Sequence, residues 1–277
     1  MHSHSEALIA ELEAVARRIR LDALDMVYRR KAGHLGGSYS AAEILAALYF
    51  HHMRIRPSEP NWPERDRFIL SKGHAAAGLY ATLAQRGYFP REDLETWGQL
   101  GGFLQGHPDR LKTPGVDMTS GLLGHGLSIG VGMALGQRVR GPRHHTYVLL
   151  GDGDIQSGLT WEGALVAAKY STWELTAIVD YNDVTNDGAA HNILPFEPLI
   201  DKWCAFGFAI CEINGHNLRQ VLDALDTALE IHNRPTVIIA HTTKGKGVSF
   251  MQNTAEWHGK IPSAEQYARA QVELSGE

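Results

Sequence analysis

Apolar residues fall in two rhythms along this chain. Runs that are apolar nearly throughout, "RFILS", "TYVLL", "LTAIVDY", "FAICEI" and "TVIIAHT", predict strands buried on both faces. Between them the apolar positions recur every three or four residues. That spacing predicts helices over "AAEILAALYFHHM", "AAGLYATLAQRG" with its stop at Gly87, "LSIGVGMALGQRV", residues 159–170, and residues 218–231 opened by Asn217. Ser3 and Glu6 have the spacing of a capping box before an amphipathic start, and Ser40 with Glu43 repeats it. Strands alternating with helices predict an α/β fold: a single parallel sheet with helices on both faces, residues 1–277 forming one domain. One segment departs from this pattern. Residues 89–126 carry Gly101, Gly102, Gly106, Gly115, Gly121, Gly124 and Gly126, too many over too long a stretch for a plain connector, which predicts a functional loop region.

Composition narrows the classes. A chain of 277 residues, 44% hydrophobic and 21% charged, is an ordinary globular polypeptide. Its net charge of -5 offers no basic field to nucleic acid, and no apolar run approaches the roughly 20 residues that span a membrane. The start "MHSHSEALIAELEAVARRIR" has no apolar signal core, so a cytoplasmic protein is expected. Cys204 and Cys211 form no Cys-x-x-Cys pair and are expected to be buried thiols.

The candidate chemistry lies in "LGDGDIQSG". Asp152 and Asn182 follow two predicted strands joined by one helix, thirty positions apart, and ligands of open parallel sheets bind beyond such carboxyl ends. A carboxylate, an amide oxygen and a backbone carbonyl just after Asn182 make a hard oxygen set for a divalent cation, with positions left for phosphate oxygens. The start of the helix near Leu159 offers free N–H groups to an anion. The expected ligand is a metal-bridged diphosphate. Gly-Asp-Gly alone is commonly a tight turn. A dinucleotide fingerprint competes, with Asp180 as the ribose-binding acid, but Gln156 stands where its third glycine should fall. "TTKGKGV" does not complete a P-loop.

"GDGDIQSGLTWEGALVAAKYSTWELTAIVDYNDVTNDG" resembles the thiamine diphosphate motif as it occurs in transketolases. "KAGHLGGSYSAAEIL", "RDRFILSKGHAAAGLYATL", "GHPDRLKTPGVDMTSGLLGHGLSIGVGMA" and "HTTKGKGVSFMQNTAEWHG" resemble four further segments in the family's order, and the length matches the amino-terminal subunit of split transketolases. The resemblance implies a chain that holds the diphosphate half of thiamine diphosphate with Mg2+ or Ca2+. A carboxy-terminal subunit supplies the pyrimidine-binding half, in an α2β2 heterotetramer, and a two-carbon ketol group passes between sugars or sugar phosphates. It further implies Asp152, the Asn182 side chain and the Val184 carbonyl as metal ligands. His74, Gly153, Asn182 and His258 fall to the cofactor, with Gly121, Leu122 and Leu123 along its aminopyrimidine, and His34, His107 and His258 fall to catalysis. Imidazoles suit such proton traffic near neutral pH.

His34, His74, His107 and His258 stand beside glycine on predicted loops, whereas His51, His52, His144, His145 and His232 read as solvated or helix-end residues. His125 and His191 fit either group, and no short spacing supports a zinc site. The chain departs from the family pattern at Ser157, usually Glu, at Leu35, usually Pro, and at His125, usually Gln, while Glu162 is kept. Ser157 is expected to lessen the acidity between two facing cofactor sites and to cap the following helix. These departures keep relatives acting on modified sugars, deoxyxylulose-phosphate-synthase-like enzymes and ketoacid dehydrogenase subunits in view. The rival classes are a nicotinamide oxidoreductase and a non-catalytic binding module.

Overall fold

The structure, a computed structural model, describes residues 4–141 and 144–276. Helix α1 (Glu6–Arg30) opens at Ser5, whose side chain accepts from the Leu8 amide at 3.2 Å, and ends at Lys31 in the left-handed region. Ser3, half of the expected capping box, lies outside the described residues. The second expected capping box does not form. Ser40 ends the short helix α2 (Gly36–Ser40), and its hydroxyl donates to Asp180 Oδ2 at 2.6 Å; Glu43, in α3 (Ala42–Ala47), pairs with Arg20. Both side chains serve buried charges because this stretch is covered on every side, and an unmatched buried charge costs more than an uncapped helix turn.

Strand β1 (Arg67–Leu70) leads into α4 (Ala76–Arg86), which Gly87 stops at a φ of 90°. The long glycine-rich region follows, then α5 (His125–Arg140), β2 (Thr146–Gly151), the one-turn α6 (Asp152–Ile155), α7 (Gly158–Lys169) and β3 (Leu175–Tyr181). The chain continues through α8 (Ala190–Ile193), α9 (Leu199–Ala205), β4 (Ala209–Asn214), α10 (Leu218–Glu230), β5 (Thr236–His241) and α11 (Ala264–Ser275). All five strands pair in parallel in the order β1-β2-β3-β5-β4, the single parallel sheet read from the alternation of patterns.

The apolar strands are apolar because both faces are covered. Tyr147 and Leu149 of β2 join the core under α1, α3, α4 and α10, while Val148 and Leu150 join the core under α5, α7 and α9. Each such aliphatic side chain contributes about 1.5–3 kcal/mol on burial. Two expectations fail at the margins. Cys204, on α9, is exposed, and Cys211 is half-buried because β4 is an edge strand. His145 is not a solvated residue: it is buried, with Nε2 2.8 Å from Thr176 Oγ1, whereas His52 ends the helical turn Leu48–His52 as expected, beside Asp226. No helix among the described residues is long and apolar enough to cross a membrane.

Candidate active site

Parallel pairing sets the ends of β2 and β3 side by side, with Gly151 opposite Asp180. A cavity of about 300 Å³ opens just beyond them, lined by Asp152, Gly153, Asn182, Val184, Lys72 and Lys244 among others, with His74, His258 and Leu123 on its walls. Asp152 follows β2 directly and is buried. Its Oδ2 accepts from the Asn182 amide at 3.4 Å, while Oδ1 has no partner among the described residues. Burial, then the nearby Asp180, raises this carboxyl to about 7. Asn182 Oδ1 accepts from the Val184 amide at 3.3 Å, and the Val184 carbonyl accepts from Lys244 Nζ at 2.5 Å. An orphaned buried carboxylate oxygen beside an amide oxygen and a carbonyl fits a hard divalent cation. Among the described residues no three His, Cys, Asp or Glu side chains gather as a metal site.

The second acid of "GDGD" organises the floor. Asp154 Oδ1 accepts from Ser71 Oγ at 2.5 Å and from the Gly124 amide at 2.7 Å, and Oδ2 accepts from the Gly151 amide at 2.8 Å. One buried carboxylate thereby ties the ends of β1 and β2 to the 121–124 loop. Leu123 is brought so close to Gly153 that a Cβ there would lie 2.8 Å from Leu123 Cδ1. The cavity lining stops at Gln156, so the start of α7 is not where an anion would sit; the turn of α6 occupies that place. Ser157 precedes α7 without a side-chain cap bond, contrary to expectation, and its hydroxymethyl group instead packs over Gly124, whose φ of 82° and missing Cβ leave the room.

Two lysines that the motifs did not single out supply the positive charge. Lys72 pairs with the fully buried Asp180 and donates to the Gly37 carbonyl at 2.7 Å. Burial opposes the charge of Asp180, yet Lys72 and hydroxyls from Ser40 and Thr242 hold its carboxyl below the usual range. That occupation removes Asp180 as a ribose-binding acid, and with it the dinucleotide reading. Lys244 is buried; its ammonium donates to Val184 O and lies 2.8 Å from His258 Nδ1. Burial, then repulsion from Lys72, lowers it to about 8. Gly37 leaves open the space over Lys72 Nζ and His74 Nε2, which a Cβ would approach to 3.6 and 3.4 Å.

Three of the four histidines singled out beside glycine, His34, His74 and His258, meet at the cavity rim. The rings of His34, His74 and His258 lie 5.1–5.3 Å apart, centre to centre. Burial, then Lys244, lowers His258 to about 3; burial, then Lys72, lowers His74; burial, then His107, lowers His34. All three are therefore neutral at pH 7, and the Lys244 contact makes Nδ1 of His258 the acceptor and Nε2 the N–H. His107 is exposed, its ring backing Gly121, and lies near enough to His34 to oppose its charging. Leu122 and Leu123 are 71% and 39% exposed beside the cavity. Leu35 is buried in the core and does not line the cavity, and His125 bonds the Leu123 carbonyl at 3.1 Å.

Residues 12–275 match the family model described as transketolase, thiamine diphosphate binding domain. The chain belongs to the transketolase family. It is 41% identical over 265 residues to an apulose-4-phosphate transketolase subunit of Phocaeicola vulgatus, covering 96% of this chain and 93% of that one. It is 42% identical over 267 residues to the 6-deoxy-6-sulfo-D-fructose transketolase subunit SqwG of a Clostridium species, covering 96% and 97%. Among solved structures, the transketolase of Leishmania mexicana superposes with a TM-score of 0.91 at 32% identity, covering 99% of this chain and 42% of that one. The transketolase of Campylobacter jejuni gives 0.89 at 30%, covering 98% and 43%. The chain thus spans about two fifths of these longer transketolases and nearly all of the two subunits named before them.

Proposed function

We propose that residues 1–277 act as the diphosphate-holding subunit of a two-polypeptide transketolase that moves a two-carbon ketol group from a ketose to an aldose. The observation that carries this reading is the unpartnered, buried Asp152 Oδ1 beside Asn182 Oδ1 and the Val184 carbonyl at the ends of β2 and β3. Asp152, Asn182 and Val184 hold Mg2+ or Ca2+. Gly153, His74 and the ammonium group of Lys244 would receive the diphosphate, while Lys72, lining the same cavity, is paired with Asp180. Gly121, Leu122 and Leu123 would contact the aminopyrimidine.

Thiamine diphosphate, when bound, supplies the electron sink for breaking a carbon–carbon bond beside a ketone. The chain's own work is orientation and proton handling. His258 presents Nε2–H toward the rim because Lys244 occupies Nδ1, and His34, neutral and in contact with both neighbouring rings, accepts or donates at a sugar hydroxyl. His107, out on the loop, reaches the more distant hydroxyls. The exposed Leu122 and Leu123 leave the far half of the cofactor for a carboxy-terminal subunit, in an α2β2 assembly. The names of the two related subunits support a modified or anionic sugar as substrate.

Calorimetry with Mg2+ and thiamine diphosphate tests the assignment. Asp152→Ala is expected to abolish metal-dependent binding while the circular dichroism spectrum is kept. Unchanged affinity in that variant overturns it.

A further inference from the structure

We infer that His216 is a positioning residue, fixing through its ring the backbone that aims Lys244 at the cavity; the inference rests on the diphosphate reading above. His216 lies in the turn between β4 and α10, outside the residues that line the cavity. Its Nε2 accepts the backbone N–H of Thr243 at 2.8 Å, and its Nδ1 is 3.0 Å from Glu43 Oε2. An amide N–H can only donate, so Nε2 is the bare nitrogen, and Nδ1 carries the hydrogen and gives it to Glu43.

Glu43 is itself fixed. Arg20 of α1 donates to both of its carboxylate oxygens, at 2.7 and 2.6 Å, and also to the Tyr39 carbonyl from Nε at 3.1 Å and Nη2 at 2.9 Å. A buried, fully bonded ion pair between α1 and α3 therefore anchors one side of an imidazole whose other side holds a single backbone amide. That amide belongs to the residue between two that serve the site. Thr242 donates its hydroxyl to Asp180, the partner of Lys72, and Lys244 contacts Val184 O and His258 Nδ1.

The surroundings leave this backbone little alternative. Gly215 lies so near the strand end that a Cβ would come within 2.6 Å of Thr242 Cγ2, and only because it lacks one can the turn bring His216 to Thr243. On the opposite side the Lys244 stem runs over Gly36, where a Cβ would be 2.9 Å from Cγ. A lysine has four rotatable bonds, and its aim is only as fixed as the backbone it leaves from. Removing the ring takes the acceptor from the part-buried Thr243 N–H and one of two donors from Glu43 Oε2, which keeps Arg20, and the segment then re-forms its bonds elsewhere. The cation ligands Asp152 and Asn182 follow β2 and β3, and of the three proposed ligands Lys244 touches only the Val184 carbonyl.

The test uses the full chain with Mn2+ alone and with inorganic pyrophosphate in the presence of Mn2+. His216→Ala is expected to weaken pyrophosphate binding about tenfold or more, the scale seen when an outer partner of a site is removed, with Mn2+ affinity changed by less than about threefold. His216→Gln, whose Oε1 can accept from Thr243 in place of Nε2, is expected to restore most of the loss. In the wild-type chain, NMR should show a nitrogen–nitrogen coupling across the hydrogen bond between Thr243 N and His216 Nε2. If the wild type binds both probes but neither variant differs from it, or both lose affinity equally, or the coupling is absent, the positioning role is overturned while the diphosphate reading stands. If the wild type binds neither probe, the diphosphate reading fails first and takes this inference with it.

Discussion

Asp152 and Asp180 end neighbouring strands, and the chain treats them oppositely. Asp180 receives Lys72 and two hydroxyls, whereas Asp152 is left with one oxygen bare and a carboxyl raised to about 7 by burial and then by Asp180 itself. An arrangement that is costly without a ligand is what a cation site requires. Gly124 shows a different constraint. A methyl group there would lie 2.2 Å from Ser157 Oγ, on a residue already at a φ of 82°. Gly124→Ala is therefore expected to destabilise the chain by about 1–3 kcal/mol, measured by urea unfolding, and adding Ser157→Gly should recover the part due to overlap but not the part due to φ. Ser157→Ala alone should shift the melting temperature by no more than about 2 °C, because the hydroxyl caps nothing. The strand-end placement of Asp152 and Asn182 was legible because the sequence marks strand ends. Lys72, Lys244 and Asp154 were not, since their roles come from contacts with residues 30 to 108 positions away. Gly215-His216 repeats the glycine–histidine juxtaposition of the rim histidines, so a signal for it existed, but only the fold separates a ring that faces the cavity from one that props its wall.

Elements are most legible in the sequence where burial on both faces leaves no ambiguity. "LTAIVDY" is β3 residue for residue, and Asn217 caps α10 by accepting from the Gln220 amide at 3.2 Å. Asn217→Ala should cost about 1 kcal/mol in unfolding experiments. Ser40 and Glu43 had the right spacing for a cap and a different task, because local spacing does not reveal which side chains must answer a buried charge. His145, just before β2, carries a consequence for acid stability. Burial lowers it to about 3, against about 6.5 in an unfolded chain, so the unfolded state binds more protons between those values. Stability is then fully present above pH 6.5 and falls as pH drops below it, by about 1.4 kcal/mol per pH unit for this one group. Thermal melts between pH 7 and 4.5 should show a shallower decline in His145→Gln than in the wild type; equal slopes would assign the acid sensitivity elsewhere.

At the scale of the whole molecule, the cavity is walled by the sheet on one side and open beside Leu122 and Leu123 on the other. The isolated chain is expected to bind the metal–diphosphate pair yet catalyse no ketol transfer. Mixing it with a carboxy-terminal transketolase subunit should produce turnover and slow amide hydrogen exchange across residues 121–124; full turnover by the chain alone would refute the divided architecture. The sheet order holds one more consequence. β5, made after β4, lies between β3 and β4, so the edge strand has no hydrogen-bonded neighbour until residues 236–241 exist. During synthesis the growing polypeptide must carry β4 unpaired while α10 is added, and the strand that closes the gap is also the one that delivers Thr242, Thr243 and Lys244 to the site. A nascent chain halted on the ribosome short of residue 236 should therefore remain protease-sensitive around β4 and fail to retain pyrophosphate, and release past residue 247 should restore both together. Maturation of the fold and competence to hold an anion are then a single event in the life of the polypeptide.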